Sequence, residues 1–422
     1  MNQHVPPPPT REALAAMDAE DPLAPLRERF DLPDLIYLDG NSLGPLPRAA
    51  RERVRRCVDT EWGHDLIASW NKAGWIDLPR TTGARIAALI GAEPDAVRVA
   101  DSTSVNLFKV LAAALRLRPE RRRIVSQRGN FPTDLYTAEG LTALMGDGHE
   151  LHLVDEPDGI ERAITDDTAV VMLTHVDYRT GRMLDMGAVT RVAHAAGALA
   201  VWDLAHSAGA VPVDLTGAGA DFAVGCGYKY LNGGPGAPAF LYVAPDHEGA
   251  TNPLSGWFAH AAPFAFEPSF RPAETVDRFL VGTPPVLSTV ALDAALDLWD
   301  GVSMADVRAK SLALTDAFIA GVEKRCSGYG LALATPRDAG SRGSQVSFRH
   351  PHVYPIVSAL IERGVIGDFR AATDGGNGIA RFGFAPLFLR HVNVWDAVET
   401  LRDVLETRAW DAPQHQAKKA VT

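Results

Sequence analysis

The chain has 422 residues, 46% of them hydrophobic, which is enough to bury a sizeable core and to build more than one lobe. Its formal charge is −11, so it lacks the cationic excess with which proteins bind nucleic acids, and no nucleic-acid partner is expected. The 3 cysteines, Cys57, Cys226 and Cys326, are scattered, which argues against a disulfide framework or a metal site and favours a reducing cytoplasm.

The first residues, MNQHVPPPPT, show no signal-peptide pattern, and no later stretch approaches the roughly 18 apolar residues that a membrane helix needs. We therefore expect a cytoplasmic protein without a membrane partner. The prolines at positions 6–9 favour an extended N-terminal arm, assigned to residues 1–30, and the polar tail after Trp410 is also expected to be loosely structured.

Short apolar runs alternate with helical patterns through the middle of the chain. The runs predicted as buried strands are Val97–Ala100 and residues 124–126, 170–174, 199–202, 222–224 and 240–243. Helical patterns at residues 105–117 and 186–196 fall between these runs. This alternation is typical of an α/β fold with a mainly parallel sheet between helices.

The pattern changes near Pro285. A helix-rich segment covers residues 286–320, and a mixed tail follows with an apolar run at 345–349 and a helical pattern at 353–363. We therefore predict a large domain over residues 31–285 and a smaller α+β domain over residues 286–422, with the segment up to about residue 60 contributing to the smaller one.

The strongest candidate for a catalytic residue is Lys229, in the stretch DFAVGCGYKYLNGGPG at 221–236. Most lysines are exposed surface charges, and that remains the alternative. Here, however, the lysine follows an apolar strand and precedes a glycine-rich turn, so it can project into a cleft. Partial burial favours the neutral amine, which is the form that attacks a carbonyl to make a Schiff base.

Two polar residues follow an earlier predicted strand in the stretch VWDLAHSAG. Asp203 lies at the carboxyl end of that strand, where α/β proteins place their ligands, and could form an ion pair with a pyridine nitrogen. The alternative for Asp203 is a helix N-cap. His206 could line the same pocket or be a structural histidine.

Two further loops offer groups that could bind an anion and an aromatic ring. In DSTSVNL, Thr103 and Ser104 precede a helix predicted to begin at Val105, and helix N-termini bind phosphate through free amides and the helix dipole. An ordinary N-cap is the alternative. In NFPTD, Phe131 could stack on a cofactor ring beside the carboxyl group of Asp134, although FPTD alone would predict only a turn.

The combination of DSTSVNL, NFPTD, DLAHSAG, GYKYLNGGPG and GWFAH resembles the kynureninase family, within the fold-type I pyridoxal-phosphate enzymes (class V aminotransferase-like). The segments YLDGNSLGPLP at 37–47 and IARFGFAPLF at 379–388 are similar too, so the resemblance extends from about residue 31 to residue 404. It implies the fold just predicted, pyridoxal 5′-phosphate as cofactor, no metal, and a homodimer with shared active sites.

The resemblance also assigns roles to individual residues. It implies a cofactor-binding set of Thr103, Ser104, Phe131, Asp134, Thr174, Asp203, His206, Tyr228, Lys229, Trp257 and Thr283. Within this set Lys229 would carry the cofactor, Asp203 would pair with the pyridinium, and Tyr228 would touch the phosphate and act as a catalytic acid. The neighbouring subunit would supply Trp257 and Thr283. The substrate-binding residues implied are Asn41, Ser42, Trp70 and Arg381, with the planar fork of the arginine holding the substrate carboxylate.

The activity implied is hydrolysis of L-kynurenine, and less efficiently of 3-hydroxy-L-kynurenine, to anthranilate and L-alanine in tryptophan degradation, on a route to NAD biosynthesis. The preference rests on two positions. Thr283 occupies a position where the animal enzymes, which favour the hydroxylated substrate, carry an asparagine. Trp70 lies near a position where those enzymes carry a histidine, and its alternative is a plain core tryptophan.

Two other functions were weighed. A cysteine desulfurase or selenocysteine lyase of the same fold would need a reactive thiol, and Cys326 in EKRCSGYG is the one candidate, in a helix-ending context that favours a structural role. The second is a noncatalytic binding protein with the pyridoxal-phosphate fold. The presence of both Lys229 and Asp203 argues against it.

Overall fold

The computed structural model describes residues 9–146, 148–155, 159–372 and 376–417. The strands, in chain order, are β1 (Phe30–Asp31), β2 (Ile36–Tyr37), β3 (Leu46–Pro47), β4 (Val97–Ala100), β5 (Arg123–Gln127), β6 (Glu150–Val154), β7 (Thr168–Thr174), β8 (Leu199–Asp203), β9 (Phe222–Cys226), β10 (Ala239–Val243), β11 (Ala332–Leu333), β12 (Gln345–Arg349), β13 (Val365–Ile366), β14 (Asp368–Arg370) and β15 (Ile379–Gly383).

The α-helices, in chain order, are α1 (Arg11–Glu20), α2 (Arg48–Arg56), α3 (Ser69–Lys72), α4 (Leu78–Leu89), α5 (Thr103–Arg116), α6 (Pro132–Met145), α7 (Ile160–Ala163), α8 (Met186–Ala195), α9 (Leu215–Ala218), α10 (Val286–Ala295), α11 (Met304–Arg325), α12 (Val353–Glu362), α13 (His391–Glu406) and α14 (Pro413–Gln416). Within the described ranges, no helix has both the length and the apolar character needed to cross a bilayer.

The chain divides into two compact units. The larger comprises Ala49–Asp177 and Leu184–Asp297, and the smaller comprises the residues up to Arg48, the short segment Tyr178–Met183, and the residues from Leu298 onward. The helix-rich segment predicted at 286–320 is interrupted at Gly301, which has a φ of +75°. Helix α10 belongs to the larger unit, and the chain from Leu298 onward belongs to the smaller one.

The larger unit is built on a seven-stranded sheet with the strand order β4-β10-β9-β8-β7-β5-β6. Strand β10 is antiparallel to both of its neighbours, whereas the pairs from β9 to β6 are parallel. Every residue of Thr168–Thr174 and Leu199–Asp203 is buried, as expected for strands covered by helices on both faces. The predicted fold class is confirmed.

The apolar runs predicted as strands all occur as strands, with ends that shift by no more than two residues. Glu150–Val154 was missed. Among the described strands it pairs with β5 alone and is last in the strand order, and its first four residues alternate between exposed and half-buried. An apolar-run criterion does not detect an edge strand of this kind.

The smaller unit contains a four-stranded antiparallel sheet with the order β11-β12-β15-β14. Strand β2 pairs in parallel with β13, and an isolated bridge joins Asp39 to Gly383. These pairings bring the segment around residues 36–42 alongside the sheet edge that carries Asp368 and Arg381.

The described residues near both ends of the chain are more ordered than the sequence predicted. Prolines 6–8 and residues 418–422 lie outside the described residues, but Arg11–Glu20 forms a helix with Thr10 as its N-cap. Asp18 at the end of this helix accepts hydrogen bonds from the backbone amide and the ring of His391, at 2.6 and 2.9 Å. In the tail, the buried His415 contacts Ser358 at 2.9 Å. These long-range contacts have no local sequence signal.

A pair of glycine substitutions tests how tightly the central sheet is packed. A Cβ on Gly225 would overlap the ring of Phe240 on the neighbouring strand β10, so Gly225→Ala should lower the free energy of unfolding by about 1–3 kcal/mol. Gly140, exposed in α6, has open space around it, so Gly140→Ala should raise that free energy by about 0.5–1 kcal/mol. Urea unfolding followed by tryptophan fluorescence measures both, and equal effects would contradict the packing described.

Candidate active site

The predicted cofactor residues of the larger unit follow the carboxyl ends of neighbouring strands. The site residues at this edge are Thr103 after β4, Phe131 and Asp134 after β5, Thr174 at the end of β7, Asp203 and His206 at and after β8, and Tyr228 and Lys229 after β9. Because these strands run in one direction, their carboxyl ends lie at the same edge of the sheet, where open α/β sheets bind ligands.

Lys229 lies in a tight connection between β9 and β10. Its Nζ atom is 3.1 Å from Nε2 of the buried His206 and 5.7 Å from the ring centroid of Tyr228. The backbone before it is closely packed, since a Cβ on Gly227 would lie 2.6 Å from the carbonyl oxygen of Pro238. The lysine is half-buried, as predicted, and is held beside an imidazole that can exchange protons with it.

Asp203 is buried at the end of β8, and its Oδ1 accepts a hydrogen bond of 2.7 Å from the amide of Ala205. No helix begins there in the structure, so the N-cap alternative is wrong; the contact is the short Asx-type bond of a turn. Burial raises the pKa of Asp203, while the ammonium group of Lys229 acts in the opposite direction and favours the carboxylate.

Asp134, on the first turn of α6, forms a hydrogen bond with Asp203. Burial and the negative charge of Asp203 raise the pKa of Asp134 well above its usual range, whereas the same hydrogen bond lowers the pKa of Asp203. The proton of the pair therefore resides on Asp134, and Asp203 is the carboxylate. Thr174 completes the group with its hydroxyl 3.5 Å from Oδ2 of Asp134.

Asn130 was not singled out from the sequence, although it begins the motif NFPTD. It is buried, its Oδ1 accepts a bond of 2.7 Å from the amide of Phe131, and it also contacts the hydroxyl of Thr174. Its Nδ2 donates to Ser126 at 3.3 Å. Asn130 thus fixes the turn that presents Phe131, whose ring is 42% exposed and so accessible to a ligand.

The helix that follows β4 begins at Thr103, two residues earlier than predicted. Ser102 is its N-cap and accepts a bond of 3.3 Å from the amide of Val105. Thr103 and Ser104 are therefore the first two helical residues, and their amides have no partner within the helix and can bind an anion. The turn between β4 and α5 is stabilised by the fully buried Lys109, whose Nζ donates to Asp101 at 2.7 Å.

Trp70 and Trp257 lie together in an aromatic cluster of the larger unit. Their ring centroids are 6.2 Å apart, and Trp70 also meets Trp75 at 6.4 Å and Phe258 at 6.2 Å in edge-on or tilted geometry. Trp75 is held by its Nε1–H, which donates to the buried Glu61 at 2.9 Å. Trp70 is half-buried rather than a plain core residue, and Thr283 is exposed in a separate loop.

Arg381 lies in the smaller unit and is 2% exposed. Its Nε and Nη2 both face the carboxylate of Asp368, with a distance of 2.8 Å from Nε to Oδ1. Nη1 donates to the carbonyl of Tyr178 at 2.7 Å, and Nη2 donates to the hydroxyl of Ser42 at 2.8 Å. One edge of the guanidinium is therefore occupied by Asp368, a residue that sequence reasoning missed.

Asn41 and Ser42, the other two predicted substrate residues of the smaller unit, occupy different positions. Ser42 lies within the arginine group and donates a bond of 3.0 Å to Asp368. Asn41 is fully buried, with its Nδ2 3.5 Å from Oε1 of Gln345. The structure thus joins Ser42 directly to Arg381 and places Asn41 against β12.

Comparisons with known proteins identify the family. Residues 307–401 match the Kynureninase C-terminal domain family, and residues 81–225 match the DegT/DnrJ/EryC1/StrS aminotransferase family. A kynureninase from Burkholderia mallei is 57% identical over 98% of this chain and its own full length, and one from Pseudomonas fluorescens is 53% identical over the same shares. This chain belongs to the kynureninase family. The resemblance predicted from the sequence motifs is confirmed.

Solved structures support the fold. A cysteine desulfurase from Thermococcus onnurineus superposes with a TM-score of 0.76 at 20% identity, covering 91% of this chain and 98% of that one. A cysteine desulfurase from Escherichia coli gives 0.73 at 20% identity, covering 91% and 98%. At such identities the likeness describes the fold alone, and the kynureninase family assignment rests on the sequence relatives.

The shared proton of the aspartate pair predicts a pH dependence. The pKa of Asp134 in the folded protein exceeds its usual value of 3.8, so between these two values the folded state retains a proton that the unfolded chain releases. Stability is therefore lost as the pH rises through this interval, by up to about 1.4 kcal/mol for each pH unit. Asp134→Asn cannot ionise, so its melting temperature relative to the native protein should rise from about pH 5 to about pH 8.

The measurement is thermal unfolding of the ligand-free protein at several pH values. The matched control is Asp166→Asn, an exposed aspartate on the same unit, which should show the native pH dependence. A difference between Asp134→Asn and the native protein that stays constant with pH would contradict the protonated state assigned to Asp134.

Proposed function

We propose that this chain is a pyridoxal-phosphate-dependent hydrolase that converts L-kynurenine and water to anthranilate and L-alanine. The observation that carries the proposal is the position of Lys229 beside His206 and near the buried carboxylate of Asp203, in a chain that is 57% identical to a kynureninase over nearly its whole length. The sequence motifs imply the same activity.

The groups at the sheet edge fit the cofactor. The amides and hydroxyls of Thr103 and Ser104 at the start of α5 suit its phosphate, and the exposed ring of Phe131 suits its aromatic face. Asp203 would pair with the pyridine nitrogen, and Lys229 would hold the aldehyde carbon. When bound, the cofactor withdraws electrons from the carbon atoms of an attached amino acid.

The aspartate pair would place a single negative charge beside the pyridine ring of the cofactor. Because Asp134 holds the shared proton, Asp203 can remain a carboxylate in a buried position, where it favours a protonated pyridine nitrogen. Thr174 contacts Asp134 directly, and Asn130 in turn contacts the hydroxyl of Thr174. These residues therefore support the cofactor chemistry through one controlled charge.

Lys229 would remove the proton from Cα of the substrate, and His206 at 3.1 Å can accept or return protons to its amine. Addition of water to the γ-carbonyl then allows the bond between Cβ and Cγ to break, and anthranilate leaves. Burial, with the nearby Cys226, raises the pKa of Tyr228 above its usual range, so its hydroxyl stays protonated and can donate a proton to Cβ.

The family resemblance assigns the substrate carboxylate to Arg381 with Ser42 and Asn41, and the aniline ring to Trp70. The hydrogen bonds around Arg381 leave its guanidinium rigidly oriented, as a carboxylate-binding residue requires. The edge-on contacts of Trp70 with its neighbours hold an indole surface that suits an aniline ring without a further hydroxyl.

We further propose a cytoplasmic homodimer in which Trp257 and Thr283 complete the site of the neighbouring subunit. A cavity of about 400 Å³ is lined by Trp257, His260, Phe266 and Phe270, and Phe266 is 82% exposed. Such exposed aromatic surface is typical of a protein interface. All three cysteines are buried and none is in a disulfide within the described residues, which is compatible with a reducing compartment.

The geometry disfavours the cysteine desulfurase alternative. A desulfurase needs an accessible thiolate, but Cys326 is the buried C-cap of α11, and burial raises the pKa of its thiol to about 12. The test of the proposed function is to add L-kynurenine to the cofactor-loaded protein and record anthranilate fluorescence. Sulfide release from L-cysteine without anthranilate formation would refute the proposal.

Substitution of the central lysine tests the assignment of the cofactor. Lys229→Ala should abolish the visible absorption of lysine-bound cofactor and lower turnover by several orders of magnitude, because the attacking amine is lost. Lys324→Ala, an exposed lysine in the last turn of α11, is the control and should retain both properties. Borohydride reduction followed by peptide mapping should label Lys229, and a label on another lysine would overturn the assignment.

Substrate preference tests the role of the exposed threonine. We predict that kcat/KM is higher for L-kynurenine than for 3-hydroxy-L-kynurenine, by roughly 1–3 kcal/mol of transition-state free energy, because no amide is offered to the extra hydroxyl. Thr283→Asn should narrow this difference. Thr251→Asn, another exposed threonine of the same unit, should leave it unchanged. A native preference for the hydroxylated substrate would contradict the interpretation.

A further inference from the structure

The group around Arg381 contains an ionisable residue to which no role has been assigned. Asp39 follows β2 and is bridged to Gly383, two residues beyond Arg381 on β15. Its Oδ1 is buried and has no hydrogen-bond partner within the described ranges. Buried polar atoms are nearly always paired, so an unpaired carboxyl oxygen in a cluster of charges calls for a functional explanation.

The cluster can be defined by its contacts. We call it the arginine cluster, and it consists of Asp39, Ser42, Asp368, Arg370 and Arg381. Nη2 of Arg370 lies 2.7 Å from Oδ2 of Asp368, the carboxylate that also faces Arg381. Arg370 is partly exposed, whereas Asp368 and Arg381 are buried. Two guanidinium groups thus share one carboxylate, with Asp39 beside them.

The charge of Asp39 decides the net charge of the arginine cluster. The two arginines and the carboxylate of Asp368 sum to one positive charge, which an ionised Asp39 cancels. Burial and the negative charge of Asp368 raise the pKa of Asp39 to about 7, against the opposing effect of Ser42 and of the two arginines. The cluster therefore changes its net charge in the neutral pH range.

The other charged or titratable groups that face Asp39 lie on three strands of the smaller unit. In the described chain they are Asp368 and Arg370 on β14, Arg381 on β15, and Tyr37 on β2. Burial, with the charges of Asp39 and Asp368, raises the pKa of Tyr37 far above neutrality, so its phenol stays uncharged. Asp368 bonds directly to both arginines.

We propose that Asp39 is a positioning residue whose charge controls how strongly the arginine cluster binds the carboxylate of the substrate. This inference rests on the proposed function, because it takes Arg381 as the carboxylate-binding residue. As an acid, Asp39 leaves the cluster with one positive charge and a hydroxyl that can donate a hydrogen bond. As a carboxylate, it removes the excess charge and repels the ligand.

The sign of the pH effect follows from linkage. A ligand carboxylate favours the protonated form of Asp39, so ligand binding is coupled to proton retention at this residue. Affinity for the carboxylate should therefore be highest below the pKa of Asp39 and should fall as the pH rises through it. A ligand without a carboxylate charge should not show this dependence.

The experiment uses the cofactor-loaded enzyme and a competitive inhibitor that lacks the reacting amino group, 4-(2-aminophenyl)-4-oxobutanoate. Its inhibition constant is compared with that of the corresponding primary amide, which removes pH effects unrelated to the carboxylate. In the native enzyme, the inhibition constant of the amide divided by that of the acid should be roughly tenfold smaller at about pH 8.5 than at about pH 6.

Two variants locate the effect. Asp39→Asn, a neutral isostere, should give a ratio that is nearly independent of pH, with strong binding of the acid retained at high pH. Asp34→Asn, an exposed aspartate five positions earlier, should keep the native profile. A native slope in Asp39→Asn would overturn the proposal.

If Asp39→Asn does not fold, the comparison of acid and amide on the native enzyme still tests the inference. A ratio of acid to amide that is independent of pH in the native enzyme would overturn the inference, whatever the variant does. Failure of the proposed function is seen separately, because it appears as absence of anthranilate from L-kynurenine. An enzyme that forms anthranilate but shows a flat ratio contradicts only the role of Asp39.

Discussion

Two buried carboxyl groups, those of Asp134 and Asp203, lie within one hydrogen bond of each other, and they cannot both be ionised in so little water. The proton on Asp134 leaves the charge on Asp203, where the ammonium of Lys229 offsets it. The surrounding structure supports this division, since Thr174, itself bonded to Asn130, contacts Asp134, and the amide of Ala205 donates to Asp203. The charge that this part of the site presents to a ligand is therefore the carboxylate of Asp203.

The smaller unit solves a similar problem with opposite signs. Arg381 is almost fully buried, and a buried guanidinium requires a partner, which Asp368 provides. If Asp368 neutralised Arg381 and no other cation were present, no positive charge would remain for an anionic ligand. A second arginine on the same carboxylate restores one positive charge, and Asp39 makes that charge dependent on pH. In both units the local charge depends on two neighbouring carboxyl groups, Asp134 with Asp203 in the larger and Asp39 with Asp368 in the smaller.

The fold alone does not decide the reaction. Cysteine desulfurases share this architecture, with a TM-score of up to 0.76 among those compared, at about one fifth identity. What distinguishes the chains is the content of the site. Here the candidate thiol Cys326 is buried at a helix end, and Trp70 packs edge-on against Trp75, whose Nε1–H donates to Glu61.

Much of the larger unit was predictable from the sequence, because buried parallel strands are short apolar runs and ligand residues follow their carboxyl ends. The positions of Lys229 and Asp203 after strand ends were predicted in this way, the helix near Thr103 was predicted to within two residues, and the motifs gave the family. The sequence could not show that Asp134 bears the proton, that Asp368 faces Arg381, or that Asp39 joins them. Those facts depend on side chains brought together from distant strands, and burial and charge at a point in space have no local sequence signal.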